Sequence, residues 1–239
     1  MLTILIHGDA KTGKTWACDT APAPRLVLDV EGGNRFTPSR KVIWDPTWAP
    51  PPADGTWDTC VVYVRDFSTL TRTYQWLNSG QHPFRSVTID SISEAQQRCI
   101  DAIAGTNQMQ QQDWGDLLRQ LSTLSRQFRD LTMHPTNPLE VVALTAMTRE
   151  RDGKWQPAVQ GALATALPFY FDVLGYLYIQ SVSAPDGSMI KVRRMLLSPD
   201  PAFLAGDRTD RLPAYMDNPT IDGPGGMLEL IYGPRKESA

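Results

Sequence analysis

Gly8-Asp9-Ala10-Lys11-Thr12-Gly13-Lys14-Thr15 follows directly on the aliphatic, β-branched run Leu2-Thr3-Ile4-Leu5-Ile6 and opens a stretch of helical composition at Lys14. A G-x-x-x-x-G-K-[ST] segment between a strand and a helix constrains the fold more than any other feature of the chain, because it implies a phosphate-binding turn at the edge of a parallel sheet. The glycines let successive backbone N–H groups curl round a phosphate, and the following helix turns its positive end toward it. In that frame Lys14 reaches the β- and γ-phosphates of ATP as a point charge, and the Thr15 hydroxyl ligates Mg²⁺. Gly8, Asp9, Ala10, Lys11, Thr12, Gly13, Lys14 and Thr15 are together the expected nucleotide-binding residues, with ATP and Mg as cofactors.

Short apolar runs with the length of strands buried on both faces recur at Leu2–His7, Arg25–Val30, Cys60–Val64, Ser86–Asp90 and Glu140–Thr145. Helical stretches at Lys14–Asp19, Ser68–Asn78, Ser93–Ile103 and Asp113–Thr132 separate most of them. In the last of these, Leu117, Leu118, Leu121, Leu124, Phe128 and Leu131 follow a helical period. Strand alternating with helix predicts an α/β fold with a mainly parallel sheet. The proline-rich stretch Trp44 to Trp57 reads as a surface excursion. Beyond Pro157 the pattern changes to a helix from about Ala158 to Ala166, then Asp172–Ser181 and Met189–Leu197 flanking Pro185-Asp186-Gly187, a hairpin signal. The expected division is a core over 1–181 and a C-terminal hairpin with an irregular tail over 182–239, packed on that core.

The chain of 239 residues, 41% hydrophobic, suffices for one α/β domain with an appendage and not for two full-sized ones. A formal net charge of −3 gives the whole chain no attraction for a polyanion, so any nucleic-acid contact needs a local basic patch. Cys18, Cys60 and Cys99 are scattered and form no C-x-x-C pair, which suits a reducing, cytoplasmic interior. Neither a signal peptide nor a membrane span is visible. His7, His82 and His134 are isolated, against metal ligation by histidine.

Further carboxylates complete the expected chemistry. Asp90 ends a predicted strand where loops converge, and fits the acidic residue that shares Mg with Thr15; its competing role, a helix N-cap, can pass to Ser91 or Ser93. Asp29-Val30-Glu31 ends the second strand. If that strand continues, its i, i+2 spacing points both carboxylates to one side, with Glu31 nearest the edge before Gly32-Gly33. Glu31 is therefore the expected catalytic carboxylate, acting on water, and Asp29 the alternative. Thr145 or Thr148 supplies a hydroxyl that senses the γ-phosphate.

The stretches Gly8–Thr15, Leu28-Asp29-Val30-Glu31-Gly32-Gly33, Thr88-Ile89-Asp90-Ser91, Trp114-Gly115 and Leu144-Thr145-Ala146 together resemble phage-encoded RecA-like P-loop ATPases, a phage AAA-type nucleotide-binding family that includes single-strand annealing ATPases. The resemblance runs over roughly residues 1–215, closing at Ala205-Gly206-Asp207-Arg208 before Leu212-Pro213. It implies a RecA-like core, ATP hydrolysis with the glutamate after the second strand activating water, and a mobile DNA-binding loop after the strand of Thr145. It also implies single-stranded DNA, a homo-oligomer and phage single-strand binding or recombination proteins as partners. Thr145 and Thr148 stand where that family has a glutamine.

Within Thr148–Gln156, Arg149, Arg151 and Lys154 offer cations for phosphates and Trp155 a face for a base, while Glu150 and Asp152 lower the net charge. The alternative for this segment is an exposed Asp-Gly hairpin with Trp155 tucked in. Lys191 and Arg193 share one face of a predicted strand and are the candidates for a basic group supplied in trans. Two other functional readings stay open: a P-loop nucleoside or small-molecule kinase, and a nucleotide-gated interaction protein.

Overall fold

In the computed structural model, which describes residues 1–184 and 186–234, the sheet grows outward from the first strand. In chain order the elements are β1 (Leu2–His7), α1 (Lys14–Cys18), β2 (Arg25–Asp29), β3 (Lys41–Ile43), β4 (Thr59–Tyr63), α2 (Phe67–Asn78), β5 (Ser86–Asp90), α3 (Ile92–Ala104) and α4 (Gln111–Asp130). They continue with β6 (Val141–Ala146), β7 (Thr148–Arg151), β8 (Lys154–Pro157), α5 (Leu163–Ala166), β9 (Val173–Ser183), β10 (Met189–Leu196), β11 (Gly206–Asp207), β12 (Tyr215–Asp217) and α6 (Met227–Tyr232). The large sheet has ten strands in the order β12-β10-β9-β1-β6-β5-β2-β4-β3, with β11 also pairing to β9. From β9 to β3 every pairing is parallel, and β10, β11 and β12 add antiparallel strands at the other edge. This is the mixed α/β architecture of a P-loop nucleotide-binding core.

Alternation along the central strands sorts the core into two layers. Leu5, Val142 and Leu144 face a cluster with Leu70, Leu77, Cys99, Leu117, Leu121, Leu124 and Phe128 of α2, α3 and α4. Leu2, Ile4, Ile6, Val141 and Ala143 face the opposite way, onto Ala17 and Cys18 of α1 and onto Leu197, Ile221, Met227, Leu228 and Ile231 of the C-terminal segment. The tail therefore covers the second face of the sheet, a role its Gly-, Pro- and Asp-rich composition does not announce. A core boundary at residue 181 falls inside β9, whose first half pairs with β1 and whose second half pairs with β10. Pro185, one residue of the expected turn, lies outside the described residues, as do the last five of the tail.

The Trp44–Trp57 stretch is the expected surface excursion, mostly exposed and outside any strand or helix, and it is pinned at both ends: Trp44 and Trp57 are buried, with ring centroids 5.8 and 6.1 Å from that of Phe84. Its proline carbonyls serve as acceptors, Pro52 for the Trp57 indole at 3.1 Å and Pro46 for that of Trp76 at 2.9 Å. Indole burial with satisfied N–H groups explains why a segment without ladder hydrogen bonds holds its shape. The helix expected over Ala158–Ala166 shrinks to Leu163–Ala166, because the backbone before it is used elsewhere. The Val159 N–H bonds the Pro157 carbonyl, and the Gln160 N–H reaches the Gln96 side chain of α3.

Candidate nucleotide site

The loop between β1 and α1 is closed by its own side chains. Thr12 donates to the Asp9 carbonyl at 2.9 Å, and the Lys14 ammonium donates to the Gly8 and Asp9 carbonyls, each at 2.8 Å. Lys11 and Gly13 both have left-handed backbone, φ 64° and 101°, which turns neighbouring N–H groups into one concavity. Gly8 is demanded by the sheet as well: a Cβ there would stand 2.2 Å from the Leu177 carbonyl oxygen of β9. Since α1 is only five residues long, the cradle rests on loop N–H groups more than on a helix dipole. Burial lowers the Lys14 pKa, opposed by the nearby carboxylates of Glu31, Asp90 and Asp9.

Beside the loop, Asp90 at the end of β5 is buried and accepts two hydroxyls. Thr15 donates to one carboxylate oxygen at 2.7 Å and Thr145, from the neighbouring β6, to the other. The topology makes this possible, because β6 lies between β1 and β5 and so sets Thr145 opposite both. A hydroxyl and a carboxylate oxygen 2.7 Å apart beside a lysine form the hard oxygen donor set that Mg²⁺ requires, so these residues fit the ion. Thr148, the other sensor candidate, turns away to His7 Nδ1 at 2.6 Å.

Asp29 and Glu31 part company. Strand β2 ends at Asp29, whose carboxylate accepts from the N–H groups of Gly32 (2.8 Å), Gly33 (3.2 Å) and Asn34 (3.2 Å) and so anchors the turn. Glu31 is exposed at the rim, and its carboxylate accepts from the Ser91 hydroxyl. Ser91 is also the N-cap of α3, accepting from the Glu94 N–H at 3.3 Å, which frees Asp90 from capping. Partial desolvation raises the Glu31 pKa; the Ser91 hydrogen bond opposes this, the Asp90 charge adds to it, and Lys14 opposes it again.

A cleft of about 490 Å³ opens beyond Glu31, lined by Arg35 from the turn after β2, Arg65 just after β4 and Arg98 of α3. Arg98 Nε is buried without a hydrogen-bond partner among the described residues, while another nitrogen of the same side chain pairs with Glu94 at 3.2 Å. Sequence reading missed this cluster because its members are thirty or more residues apart and only the strand order gathers them.

On the other side of the loop, Arg193 of β10 lies against its own chain. A Cβ on Gly13 would sit 2.4 Å from Arg193 Nε, and the guanidinium stands 5.3 Å above the Trp16 ring. Lys191 shares that face of β10 and stays exposed.

The segment after Thr145 is an ordered antiparallel hairpin, β7–β8, turning at Asp152 and Gly153, both with positive φ. Its ladder pairs Arg149 with Gln156 and Arg151 with Lys154, so the three cations share one face. Glu150 and Trp155 pair on the other. Trp155 is half-buried and its backbone is tied to Ala202 and Leu204, as in the alternative of an Asp-Gly hairpin with Trp155 tucked in, and it does not stand on the face of the cations. Arg149 Nε is buried without a partner among the described residues and borders a cleft of about 590 Å³ walled by Gln160, Gly161 and Thr165.

Cys18, Cys60 and Cys99 are free and buried, and burial pushes all three thiols up, so none is poised as a nucleophile. Among the described residues no group of three or more His, Cys, Asp and Glu is gathered as a metal site of its own, and no helix is long and apolar enough to cross a membrane. No curated protein matches the chain. A family model for the AAA domain matches residues 1–209, the span that contains the loop, Asp90, Glu31 and the hairpin, and the chain belongs to that family of nucleotide-binding P-loop proteins.

Proposed function

We propose that this protein hydrolyses ATP with Mg²⁺ and links the nucleotide to single-stranded DNA held by the cationic face of the β7–β8 hairpin. The observation that carries the reading is the Asp90 carboxylate shared between Thr15 and Thr145, with the next residue, Ser91, orienting Glu31. Lys14 offsets phosphate charge, Thr15 and Asp90 would hold Mg²⁺, which when bound would supply Lewis-acid stabilisation of that charge, and Glu31 accepts the proton of the attacking water. Ser91 holds Glu31 in place.

The DNA part is supported by connection and charge. Only Ala146 and Met147 separate Thr145, on Asp90, from the first residue of β7, Thr148, on His7, so the hairpin is rooted in the strand that carries Thr145. Arg149, Arg151 and Lys154 on one face can follow a phosphate backbone. A part in phage strand annealing or recombination rests on the sequence resemblance alone.

The test is ATP turnover with and without single-stranded DNA, on the parent and on the variant with Arg149, Arg151 and Lys154 all replaced by alanine. DNA should stimulate the parent. The variant should keep basal turnover, bind DNA roughly tenfold more weakly and show a shallower salt dependence. Equal DNA affinity and equal salt slope would remove the hairpin from the reading.

A second reading, phosphate transfer to a small acceptor, is favoured by one observation: Arg35, Arg65 and Arg98 line a cleft that also exposes Glu31. Transfer of label from ATP to a nucleoside, with turnover indifferent to DNA, would select it.

A further inference from the structure

The two sides of the phosphate-binding loop differ in kind, and that difference orients the ligand. Toward β6, β5 and β2 lie Thr145, Asp90 and Glu31. Toward β9 and β10 lie Leu177, Arg193 and the exposed ring of Trp16, 45% accessible. A triphosphate whose terminal group meets Asp90 and Glu31 has its other end free to leave the loop on the opposite, β9–β10 side. There the structure has a nook of about 180 Å³ lined by Gly13, Trp16, Thr20, Arg193, Asn218 and Thr220.

We infer that this nook receives the nucleoside half of the nucleotide, its base and ribose, on the Trp16–Arg193 pair with Asn218 at its rim. An exposed indole directly after the loop is not explained by the core, which Trp16 leaves to its neighbours Ala17 and Cys18. A planar guanidinium and an indole offer π-faces to a base, whichever base it is. Asn218 is fixed in place: its side-chain oxygen accepts from the Arg193 N–H at 3.3 Å and its own N–H donates to the Arg193 carbonyl at 2.6 Å. That leaves the Asn218 NH₂ group as a donor to a base or ribose oxygen or nitrogen. The inference rests on the ATP reading and adds to it the residues that recognise more than phosphate.

The experiment compares ATP with inorganic tripolyphosphate, which carries the phosphates without the nucleoside. Dissociation constants for both are measured by calorimetry on the parent, on Trp16→Leu, which keeps apolar bulk without a π-face, and on Asn218→Gly, which tolerates the residue's φ of 46°. The parent should bind ATP more tightly than tripolyphosphate. In Trp16→Leu, ATP affinity should fall about fivefold or more toward that of tripolyphosphate, which itself should not change, and Asn218→Gly should do the same to a lesser degree. An ATP margin that survives in both variants would overturn the inference while leaving the ATP reading intact. Equal weakening of both ligands would overturn it too, by showing that these residues act on the loop. If the parent bound neither ligand, the ATP reading would fall and the inference with it.

Discussion

The carboxylate side of the phosphate loop and its β9–β10 side are built by different means. On the first, polar groups answer one another within the chain: Asp90 takes Thr15 and Thr145, Glu31 takes Ser91, and Asp29 takes three N–H groups. On the second, a cation and an aromatic ring touch by their faces and stay open to solvent. Hydrogen-bonded carboxylates hold an angle to within a narrow range, as chemistry on a phosphate needs; stacked faces tolerate sliding, as a bound base allows. Substitutions on the first side should therefore strike turnover, and those on the second should strike affinity.

Lys14→Ala is the severest way to test the division. Removing the cation that lies between the two sides should take ATP hydrolysis to background, because transition-state charge loses its nearest compensation. The fold should stay, since Lys14 holds only loop carbonyls and packs into neither core layer. Hydrolysis at the parental rate by a correctly folded variant would dismiss the loop as the site.

Glu31→Gln comes next, with turnover lowered by roughly a hundredfold and ATP affinity kept, because a general base acts on the chemical step. Asp29→Asn should behave differently. Its carboxylate is committed to the Gly32–Asn34 turn, so the variant should lose stability of about 1 to 3 kcal/mol in urea unfolding and turnover only secondarily. The opposite pattern, with Asp29→Asn inactive and Glu31→Gln active, would exchange their roles.

A smaller effect is expected from acid. His7 is fully buried under the loop, with Nδ1 on the Thr148 hydroxyl and Nε2 on the Leu204 carbonyl, each at 2.6 Å. Burial lowers its pKa from 6.5 to about 4; the Leu204 carbonyl opposes this and the Lys14 charge adds to it. Between those values the unfolded chain binds a proton that the folded chain refuses, so stability is retained above pH 6.5 and lost as the pH falls toward 4. The His7 share of that loss is at most about 1.4 kcal/mol per pH unit. Urea midpoints of His7→Gln should fall less steeply over this window than those of the parent, and parallel curves would show that His7 carries no such linkage.

The contrast between the two sides also governs what the sequence reveals. Leu2–His7 and Ser86–Asp90 read correctly as strands to the residue, since continuous β-branched runs bounded by a loop motif leave little choice. The loop motif and Asp90 are local signals, and the structure brings Lys14, Thr15, Asp90, Thr145 and Glu31 together. Telling Thr145 from Thr148 required the register of β1 against β6, which places Ile6 beside Thr145 and leaves Thr148 two residues beyond that ladder, on His7. Separating Asp29 from Glu31 required knowing that β2 stops at Asp29. The nook needed still more: Trp16 and Arg193 are 177 positions apart, and they meet only because β9 pairs with β1 and β10 folds back on β9 (193 − 16 = 177). Which residues of the tail join the core is legible only in the structure, as Ile221, Met227, Leu228 and Ile231 form no long periodic run.

Arg193 gives the finest test, because its expected place in the sequence was a neighbouring chain's site and its observed place is its own loop. It lies over Gly13 and Trp16, and no carboxylate pairs with it among the described residues, so its charge is open to a phosphate or a base within the same chain. The side chain is exposed, which limits what its charge can contribute in water. Arg193→Ala should accordingly raise the KM for ATP only a few-fold and leave kcat nearly unchanged, the signature of ground-state binding. Mixing Arg193→Ala chains with Lys14→Ala chains separates the two placements. Acting on its own loop, Arg193 leaves every mixed site with either a damaged nucleotide grip or no Lys14, and turnover should equal the sum of the two preparations measured apart. Turnover well above that sum would mean that the Arg193 of a Lys14→Ala chain serves the loop of its neighbour, and would move the β10 cation from the nucleoside nook to an interface between copies of the chain.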